Sequence, residues 1–150
     1  MITYQAEKYS EMLPEMKPLL PEHYEELGSP VATAYDLDPD WDQYIKLEQA
    51  GAVKVVTCRS DGELVGYMIF MVSPGLHVKS CLTAYEDIYF LRKQYRKGRI
   101  GIKLFQFAEQ YLKSLNVNKI MCTTKVHLDN SRLFEYLGYK FIEKIYSKFI

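Results

Sequence analysis

The middle of the chain alternates between apolar, β-branched segments and one long segment with helical periodicity. Residues Val53–Arg59, Leu64–Val72 and 79–91 are dominated by apolar and β-branched side chains, which predicts three strands. The turn Ser60–Glu63 joins the first two strands into an expected hairpin. From residue 99 to residue 115, apolar side chains recur every three or four positions and predict an amphipathic helix: Leu104, Phe105, Ala108, Tyr111, Leu112 and Leu115.

The segments on either side carry shorter patterns of the same kind. A strand is predicted at residues 2–5, and three prolines within residues 7–27 predict a broken or kinked helix there. After the long helix, Val117–Thr124 is predicted to be a strand. Asp129–Leu137 is predicted to be a short helix that ends at Gly138.

The remaining segments complete a layered pattern. Residues 28–39 contain glycine, proline, serine and aspartate and are predicted to be a loop. Asp40 is placed to cap a short helix that runs to Ala50. Two last strands are predicted at residues 139–143 and 145–149. This order of strands and helices predicts an α/β or α+β fold.

The composition is that of one globular domain spanning residues 1–150. Of the 150 residues, 48% are hydrophobic and 25% are charged, so a disordered chain is excluded and a sizeable core can form. No apolar segment has the length of a membrane helix, and the first residues lack the pattern of a secretory signal. Cys58, Cys81 and Cys122 are too widely spaced for a metal or disulfide pattern, which favours a reduced, cytoplasmic setting.

Charge is balanced overall but is unevenly distributed along the chain. Nineteen basic and nineteen acidic residues cancel. Seven acidic residues and no Lys or Arg lie between Glu22 and Asp42, whereas six basic residues and no acid lie between Ile88 and Ala108. These segments, called here the acidic block and the basic block, indicate either two sites for oppositely charged groups or two solvated faces.

The basic block contains a turn that is suited to binding an anion. A predicted strand ending at Leu91 is followed by a basic turn in which Gly98 and Gly101 precede the long helix. The free N–H groups and the dipole of a helix N-terminus favour an anion, and glycine lets the backbone approach it closely. Basic side chains there cost about 0.3–1 kcal/mol each unless an anion neutralises them. A pyrophosphate is the expected ligand, although the spacing is neither that of a Walker A loop nor that of a Rossmann turn.

The order of these segments resembles the GNAT superfamily of acyl-CoA-dependent N-acyltransferases. Arg96–Gly101 occupies the place of the family signature [RQ]-x-x-G-x-[GA], with one departure: its first glycine falls on Arg99, and Gly98 lies one position earlier. A second family feature, a helix ending in a Leu-Gly-aromatic step, is present at Leu133–Tyr139. The resemblance covers the chain from about residue 53 to its end. It implies an α/β (mixed α+β) domain with a central mixed sheet of about six to seven strands flanked by helices on both faces.

The resemblance implies acetyl-CoA or a related thioester as co-substrate. No metal is expected, because the histidines and cysteines lack the spacing of metal ligands. The backbone of Leu91 and of the neighbouring Phe90 and Arg92 would pair with the pantetheine arm like an added strand, and the Leu91 N–H is a candidate donor to the thioester oxyanion. The N–H groups from Lys97 to Ile102 would hold the pyrophosphate, with Arg96 and Arg99 as side-chain partners. The implied co-substrate-binding residues are Phe90, Leu91, Arg92, Arg96, Lys97, Gly98, Arg99, Ile100, Gly101 and Ile102.

Acetyl transfer to an amine requires a proton acceptor, and GNAT enzymes often carry a base carboxylate where this chain has Glu86 and Asp87. Strand alternation sends these two side chains to opposite faces, and a β-bulge would change which one lines the cleft. We favour Glu86 over Asp87. The family's tyrosine that protonates the leaving thiolate corresponds to Phe134, so Tyr136, Tyr146 or water would have to replace it.

The acidic block predicts the chemistry of the acceptor. Residues 28–42 lie in the region that shapes the acceptor pocket of GNAT folds, and their carboxylates lie near Tyr35, Trp41 and Tyr44. Carboxylates and aromatic faces attract ammonium groups. We therefore expect acetylation of a primary amine on a small cationic or lysine-like acceptor, either a small molecule or a peptide. Neither a nucleic acid nor a membrane is expected as a partner.

Two other functions and one assembly state stay open at this point. A GNAT-fold protein that binds CoA or a partner with little turnover is the main alternative, because Phe134 occupies the position of the general acid. A nucleic-acid-binding module that uses the basic block is less favoured, because the net charge is balanced. GNAT relatives are often dimers, so a homodimer is an alternative to a monomer.

Overall fold

Five strands form one mixed sheet in the computed structural model, which describes residues 1–28 and 35–150. The spatial order of the strands follows the chain. The first four strands pair antiparallel with one another, and the fifth runs parallel to the fourth. The strands are β1 Ile2–Glu7, β2 Val53–Ser60, β3 Glu63–Pro74, β4 Leu82–Leu91 and β5 Lys119–Met121.

The described part of the chain also contains five α-helices. The predicted break within residues 7–27 is confirmed, because a 3₁₀ turn at Lys17–Leu19 separates the first two helices. The predicted cap at Asp40 is also confirmed, because its Oδ1 accepts a hydrogen bond of 2.9 Å from the Gln43 N–H. Residues 29–34 of the predicted loop lie outside the described residues. The helices are α1 Tyr9–Met16, α2 Leu20–Leu27, α3 Trp41–Gln49, α4 Ile100–Ser114 and α5 Ser131–Tyr136.

Helices cover both faces of the sheet, as the resemblance implied. On one face, the apolar side of α4 packs on the sheet through Leu104, Phe105 and Leu112, and Phe134 of α5 packs against Phe105. On the other face, residues of α1 and α3 form a second apolar cluster with the sheet, which includes Tyr9, Met12, Met16, Trp41 and Tyr44. No helix in residues 1–28 or 35–150 is both long and apolar enough to cross a bilayer.

The sheet is smaller than expected, because residues 139–150 form no strand. The predicted strands at 139–143 and 145–149 are therefore wrong, and the described residues give five strands rather than six to seven. From residue 141 onward the apolar residues occur as adjacent pairs separated by polar pairs. A strand would send the two members of each pair to opposite faces, so neither face would collect a continuous apolar surface. Phe141, Ile145 and Tyr146 are accordingly 74–87% exposed.

Strand β5 is also shorter than the predicted Val117–Thr124. Its first residues belong to the turn that ends α4, because the Val117 N–H bonds the Leu112 carbonyl at 3.1 Å. The strand then pairs with β4 over Lys119–Met121 alone. This brevity matters for the site, because no other strand of the described residues pairs with the remainder of β4 on that side.

Candidate active site

Strand β4 loses its neighbour β5 after three residue pairs, which opens one edge of β4. The last pair joins Tyr85 to Met121, and β5 ends there. Residues Glu86–Leu91 therefore border an opening between the two strands. Unpaired strand edges are ready to pair with another extended chain.

The backbone groups that face this opening belong to Leu91 and Tyr89. The Arg92 N–H donates to the Val65 carbonyl of β3 at 3.0 Å. Because backbone groups alternate between the two sides of an antiparallel strand, Leu91 and Tyr89 direct theirs away from β3. This corrects the expectation that the backbone of Phe90 and Arg92 would meet the pantetheine arm, since both residues face β3 instead. The Leu91 N–H stays the candidate oxyanion donor.

A β-bulge at Asp87 decides where the two candidate carboxylates lie. Ile69 of β3 pairs with Ile88, and the next residue of β3, Phe70, pairs with Glu86, so Asp87 is left without an opposite residue. Simple alternation of side chains would place Glu86 on the same face of the sheet as Phe90. The bulge reverses this arrangement: Asp87 joins the face of α1 and α3, and Glu86 joins the face of α4.

Glu86 lies at the point where β4 and β5 diverge, in a largely buried position. Its surroundings include the Cys122 thiol and a hydrogen bond from the Thr123 backbone. Burial raises the pKa of Glu86 to about 7, and these two partners only partly oppose that rise. Its Oε2 atom is buried and has no hydrogen-bond partner among the described residues. Glu86 is therefore a carboxyl group that can change protonation state near neutral pH.

Asp87 is held on the opposite face by a tyrosine of α3. The Tyr44 hydroxyl donates to Asp87 Oδ2 at 2.5 Å. The ring of Tyr44 stacks on Tyr9 of α1, with centroids 4.8 Å apart. Tyr9 is fully buried, and its hydroxyl has no hydrogen-bond partner in the described parts of the chain. Burial, followed by the charge of Asp87, raises the pKa of Tyr9, so the hydroxyl stays protonated.

A cavity of about 430 Å³ lies on this face, between α1, α2, α3 and the residues that precede α3. Its lining contains three carboxylates and no Lys or Arg among the described residues. His23 at its wall is neutral, because burial lowers its pKa to about 4 and its Nδ1 contacts the Tyr67 hydroxyl at 3.1 Å. The lining includes Tyr9, Tyr35, Asp36, Asp38, Asp40, Trp41, Tyr44 and Ile88. A larger cavity of about 580 Å³ lies between α4 and residues 137–142 and touches no residue of β4.

The residues of the predicted anion site lie where α4 begins. The helix starts at Ile100 without a side-chain cap, so its first N–H groups have no acceptor from the helix. Gly98 has a φ of +59°, a conformation that a side chain disfavours. A Cβ on Gly101 would lie 3.1 Å from the Tyr89 hydroxyl, so glycine allows the helix N-terminus to approach the open edge of β4.

The two charged blocks partly neutralise each other across the fold. Arg96 donates from Nη2 to Glu26 at 2.5 Å and from Nε to the Leu91 carbonyl at 2.6 Å. Arg92 pairs with Glu22 at 3.3 Å, and Lys93 lies 3.8 Å from Glu26. Arg96 is therefore engaged with α2 and with β4, whereas the sequence had suggested a side chain directed at pyrophosphate.

The other half of the basic block is more available to a ligand. Lys97, Arg99 and Lys103 form no ion pair with the residues that the structure describes. Arg99 makes a 3.4 Å hydrogen bond to the Tyr136 hydroxyl. This bond places Tyr136, which is 61% exposed, beside the basic turn. Phe134 is packed between Phe105 and Tyr139.

Tyr9 and Tyr89 were missed by the sequence analysis. Tyr9 is one aromatic residue at the start of a predicted helix, and Tyr89 belongs to an apolar strand. Neither position differs in pattern from an ordinary core residue. Their relevance follows only from the stacking on Tyr44 and from the contact with Gly101.

A strand edge opening between a phosphate-type turn and a polar cavity suits a transferase that binds an extended thioester. A model of the acetyltransferase (GNAT) family matches residues 13–139. The chain therefore belongs to the GNAT acetyltransferase family and is an acyltransferase. It is an acetyl-CoA-dependent N-acetyltransferase of that family. No curated protein matches the sequence.

Solved structures share the fold at low sequence identity. The ribosomal-protein-alanine N-acetyltransferase from Brucella melitensis biovar Abortus 2308 is 19% identical with a TM-score of 0.75, and the match covers 99% of each chain. An aminoglycoside acetyltransferase from an uncultured soil metagenomic sample, in complex with sisomicin, is 13% identical with a TM-score of 0.73, over 99% of this chain and 97% of that one. A predicted acetyltransferase from Clostridium acetobutylicum with acetyl-CoA is 10% identical with a TM-score of 0.72, over 99% and 96%. At these identities the likeness concerns the fold.

Proposed function

We propose that the protein transfers the acetyl group of acetyl-CoA to a primary amine of a small cationic or lysine-like acceptor. One observation carries the proposal: the open edge of β4 lies between the uncapped start of α4 and the acidic, aromatic cavity. The co-substrate's diphosphate and thioester can then be held on one side while an ammonium group enters from the other. The acceptor side rests on Asp87, Tyr44 and three carboxylates of the cavity lining.

The co-substrate side rests on the start of α4 and on the edge of β4. The N–H groups of the first turn and the Lys97 and Arg99 side chains suit a diphosphate. The Leu91 N–H faces the opening and can donate to the oxyanion that develops on the thioester. Its carbonyl is already bonded to Arg96. Arg96 therefore acts here as a support for the strand edge.

The two adjacent carboxylates have separate roles in this proposal. Asp87 with Tyr44 binds the acceptor ammonium, because both side chains lie on the cavity face. Glu86, on the other face at the point where β4 and β5 diverge, takes up through the opening between these strands the proton that the nitrogen loses on the way to the amide. Its pKa of about 7 suits transfer near neutral pH, and its Oε2 is without a partner among the described residues. The neutral amine attacks the thioester carbonyl, the amide forms, and coenzyme A leaves as the thiolate. The thiolate takes its proton from water.

The test combines ligand binding with turnover. Acetyl-CoA at one hundred times its Kd should raise the unfolding free energy by about 2.7 kcal/mol. Release of the coenzyme A thiol is then measured with a panel of primary amines. If coenzyme A stabilises the protein but no amine gives thiol release, the chain is a CoA-binding protein with little turnover. If an oligonucleotide alone stabilises it, the transferase proposal fails.

The roles of the two carboxylates are separated by paired amide variants. Asp87→Asn should raise the KM of the amine about tenfold with a smaller effect on kcat, because a charge-assisted contact in the ground state is lost. Glu86→Gln should lower kcat and remove the rise of kcat with pH near 7. Glu135→Gln, an exposed carboxylate on α5, is the matched control. Loss of the pH dependence in Asp87→Asn instead would assign the proton acceptor to Asp87.

A further inference from the structure

Residues 141–150, called here the apolar strip, are in contact with the fold at both ends but keep their apolar side chains in solvent. They form no helix or strand. Just before the strip, the ring centroids of Tyr139 and Phe134 of α5 are 5.8 Å apart, and near its other end those of Phe149 and Tyr35 are also 5.8 Å apart. Between these two contacts, four large apolar side chains are 62–87% exposed: Phe141, Ile142, Ile145 and Tyr146. Exposed apolar surface concentrated in one segment is typical of a binding surface for another molecule.

The contact with Tyr35 brings the strip to the mouth of the acidic cavity. Tyr35 lines that cavity and is 73% exposed, so it belongs to the rim. The Tyr24 hydroxyl of α2 donates to the Tyr35 carbonyl at 3.2 Å, which ties this part of the rim to the fold. Phe149 lies against the same tyrosine from the side of the strip. An acceptor that passes Tyr35 on its way into the cavity therefore lies close to Phe149.

The strip and the rim of the cavity carry opposite charges. Glu143 is the one acid of residues 140–150. Three lysines of this segment form no ion pair within residues 1–28 and 35–150: Lys140, Lys144 and Lys148. The rim instead carries the exposed carboxylates of Asp36 and Asp38. A partner that covers both surfaces must present a positive charge to the rim and a negative charge to the strip.

Charge also distinguishes among the surfaces that could cover the strip. An anionic bilayer would attract the lysines but would be repelled by the acidic rim next to Tyr35. A symmetric contact between the strips of two copies of the chain would bring lysines against lysines. A peptide can place a lysine side chain at the cavity, apolar side chains on the strip and an acidic side chain near Lys144 or Lys148. A peptide therefore fits both surfaces at once.

We propose that the acceptor is a lysine of a peptide segment and that the apolar strip binds the apolar and acidic residues beside that lysine. This inference rests on the proposed function and names the partner of the acidic cavity. Phe149 determines specificity, because it joins the strip to the rim through Tyr35. The strip takes no part in the transfer of the acetyl group, and its effect is on the binding of the acceptor.

The test compares peptides of equal length that carry one lysine and a blocked N-terminus. The first peptide has leucine on both sides of the lysine and glutamates beyond them, and the second has serine in place of leucine. The leucine peptide should have a kcat/KM about tenfold higher, the size expected when roughly one leucine side chain is buried. Replacing its glutamates by glutamine should lower kcat/KM about two- to threefold, because exposed ion pairs with the strip are lost.

Variants of the strip assign these preferences to it. The Ile145→Ser/Phe149→Ser double variant should bring the tenfold ratio close to one. Both peptides are measured with the same protein, so a general loss of activity cancels in the ratio. Leu76→Ser, which alters a fully exposed leucine of the β3–β4 connection, should leave the ratio near ten. In the Lys144→Gln/Lys148→Gln variant, the peptides with glutamate and with glutamine should be used equally, and an unchanged difference would overturn the charge pairing.

Four outcomes would overturn the peptide-binding strip. Equal use of the leucine and serine peptides, or acetylation of small amines but of neither peptide, leaves the proposed transferase standing without the strip. A tenfold ratio that survives in Ile145→Ser/Phe149→Ser places the preference elsewhere. Binding to phosphatidylglycerol vesicles, or a dimer in sedimentation, that is lost in this variant while the peptide ratio stays unchanged assigns the strip to a bilayer or to a second copy. Absence of thiol release with every peptide and every amine overturns the proposed function as well.

Discussion

Replacement of Glu86 by glutamine should change how the stability of the protein depends on pH. Burial raises the pKa of Glu86 from 4.5 in the unfolded chain to about 7 in the fold. The protonated form is therefore the one that the fold favours, and its stabilising contribution is present below pH 4.5 and is lost as the pH rises through 7. A shift of this size corresponds to about 3 kcal/mol of unfolding free energy. The amide side chain of the Glu86→Gln variant cannot ionise and should be free of this loss.

The measurement is a difference between two proteins, because His23 acts in the opposite direction. Burial lowers the pKa of His23 to about 4, so its contribution to stability grows as the pH rises from 4 towards 6.5. The two groups partly offset each other in the unmodified protein. Urea unfolding of Glu86→Gln and of the unmodified chain, across roughly pH 4 to 8, isolates the carboxyl group.

The expected result is a stability difference that grows with pH in favour of Glu86→Gln, by about 3 kcal/mol over this range. Glu135→Gln, which alters an exposed side chain, should show a constant difference. A constant difference for Glu86→Gln as well would mean that Glu86 is solvated in the fold. Its assignment as a proton acceptor near neutral pH would then lose its physical basis.

Three further substitutions test other parts of the arrangement. Arg99→Ala should weaken acetyl-CoA binding about three- to tenfold by calorimetry, and the loss should be larger at low salt. Lys113→Ala, at the other end of α4, should leave acetyl-CoA binding unchanged. Equal effects of the two substitutions would contradict diphosphate binding at the basic turn. Glu7→Gln breaks the ion pair with Arg59, whose nitrogens lie 2.8 and 2.9 Å from the Glu7 carboxylate, and should cost about 2 kcal/mol at pH 7. Burial opposes the shift, but the Arg59 and Thr57 bonds lower the pKa of Glu7 to about 2, so this cost should vanish as the pH falls from 4.5 towards 2 in urea titrations. Gly66→Ala should lower the urea midpoint by the equivalent of about 1–3 kcal/mol, because its Cβ would lie 2.9 Å from a carbonyl oxygen of β4; an unchanged midpoint would show that β4 can move away.

Most of the fold follows from local patterns in the sequence. The hairpin of β2 and β3, the Asp40 cap and the break between α1 and α2 depend on neighbouring residues, and each was predicted close to its observed bounds. The prediction of the last two strands was wrong because it considered only that the segment is apolar. It did not consider that the apolar residues there occur as adjacent pairs. A strand needs one continuous apolar face, and residues 141–150 do not supply it.

The sequence was enough to predict a basic turn suited to an anion, but it was not enough to predict how the side chains of the candidate site are arranged. The basic turn with its glycines marks the start of α4, because helix N-termini and cations favour anions for local reasons. The orientation of Glu86 and Asp87 depends on one extra residue in β4 relative to β3. A bulge is set by how two strands register across the sheet, and a single strand's sequence does not contain that information.

Part of the acidic block pairs with part of the basic block in the fold. Charge counts along the sequence alone therefore do not show which of these side chains are available to bind a ligand. Glu26 and Arg96 are 70 positions apart in the chain, and only the packing of α2 beside the phosphate turn brings them within 2.5 Å. The ion pairs of α2 engage Arg92, Lys93 and Arg96 but only two of the seven acidic residues, Glu22 and Glu26. In the proposed function, Lys97 and Arg99 are left for the co-substrate, and Asp36 and Asp38 for the acceptor. Because α2 lines the acidic cavity with Leu20, His23 and Tyr24 and also carries Glu22 and Glu26, one helix contacts both the cavity and the basic turn. The ion pairs therefore hold the basic turn and the acidic cavity at a fixed separation, and the open edge of β4 lies between them.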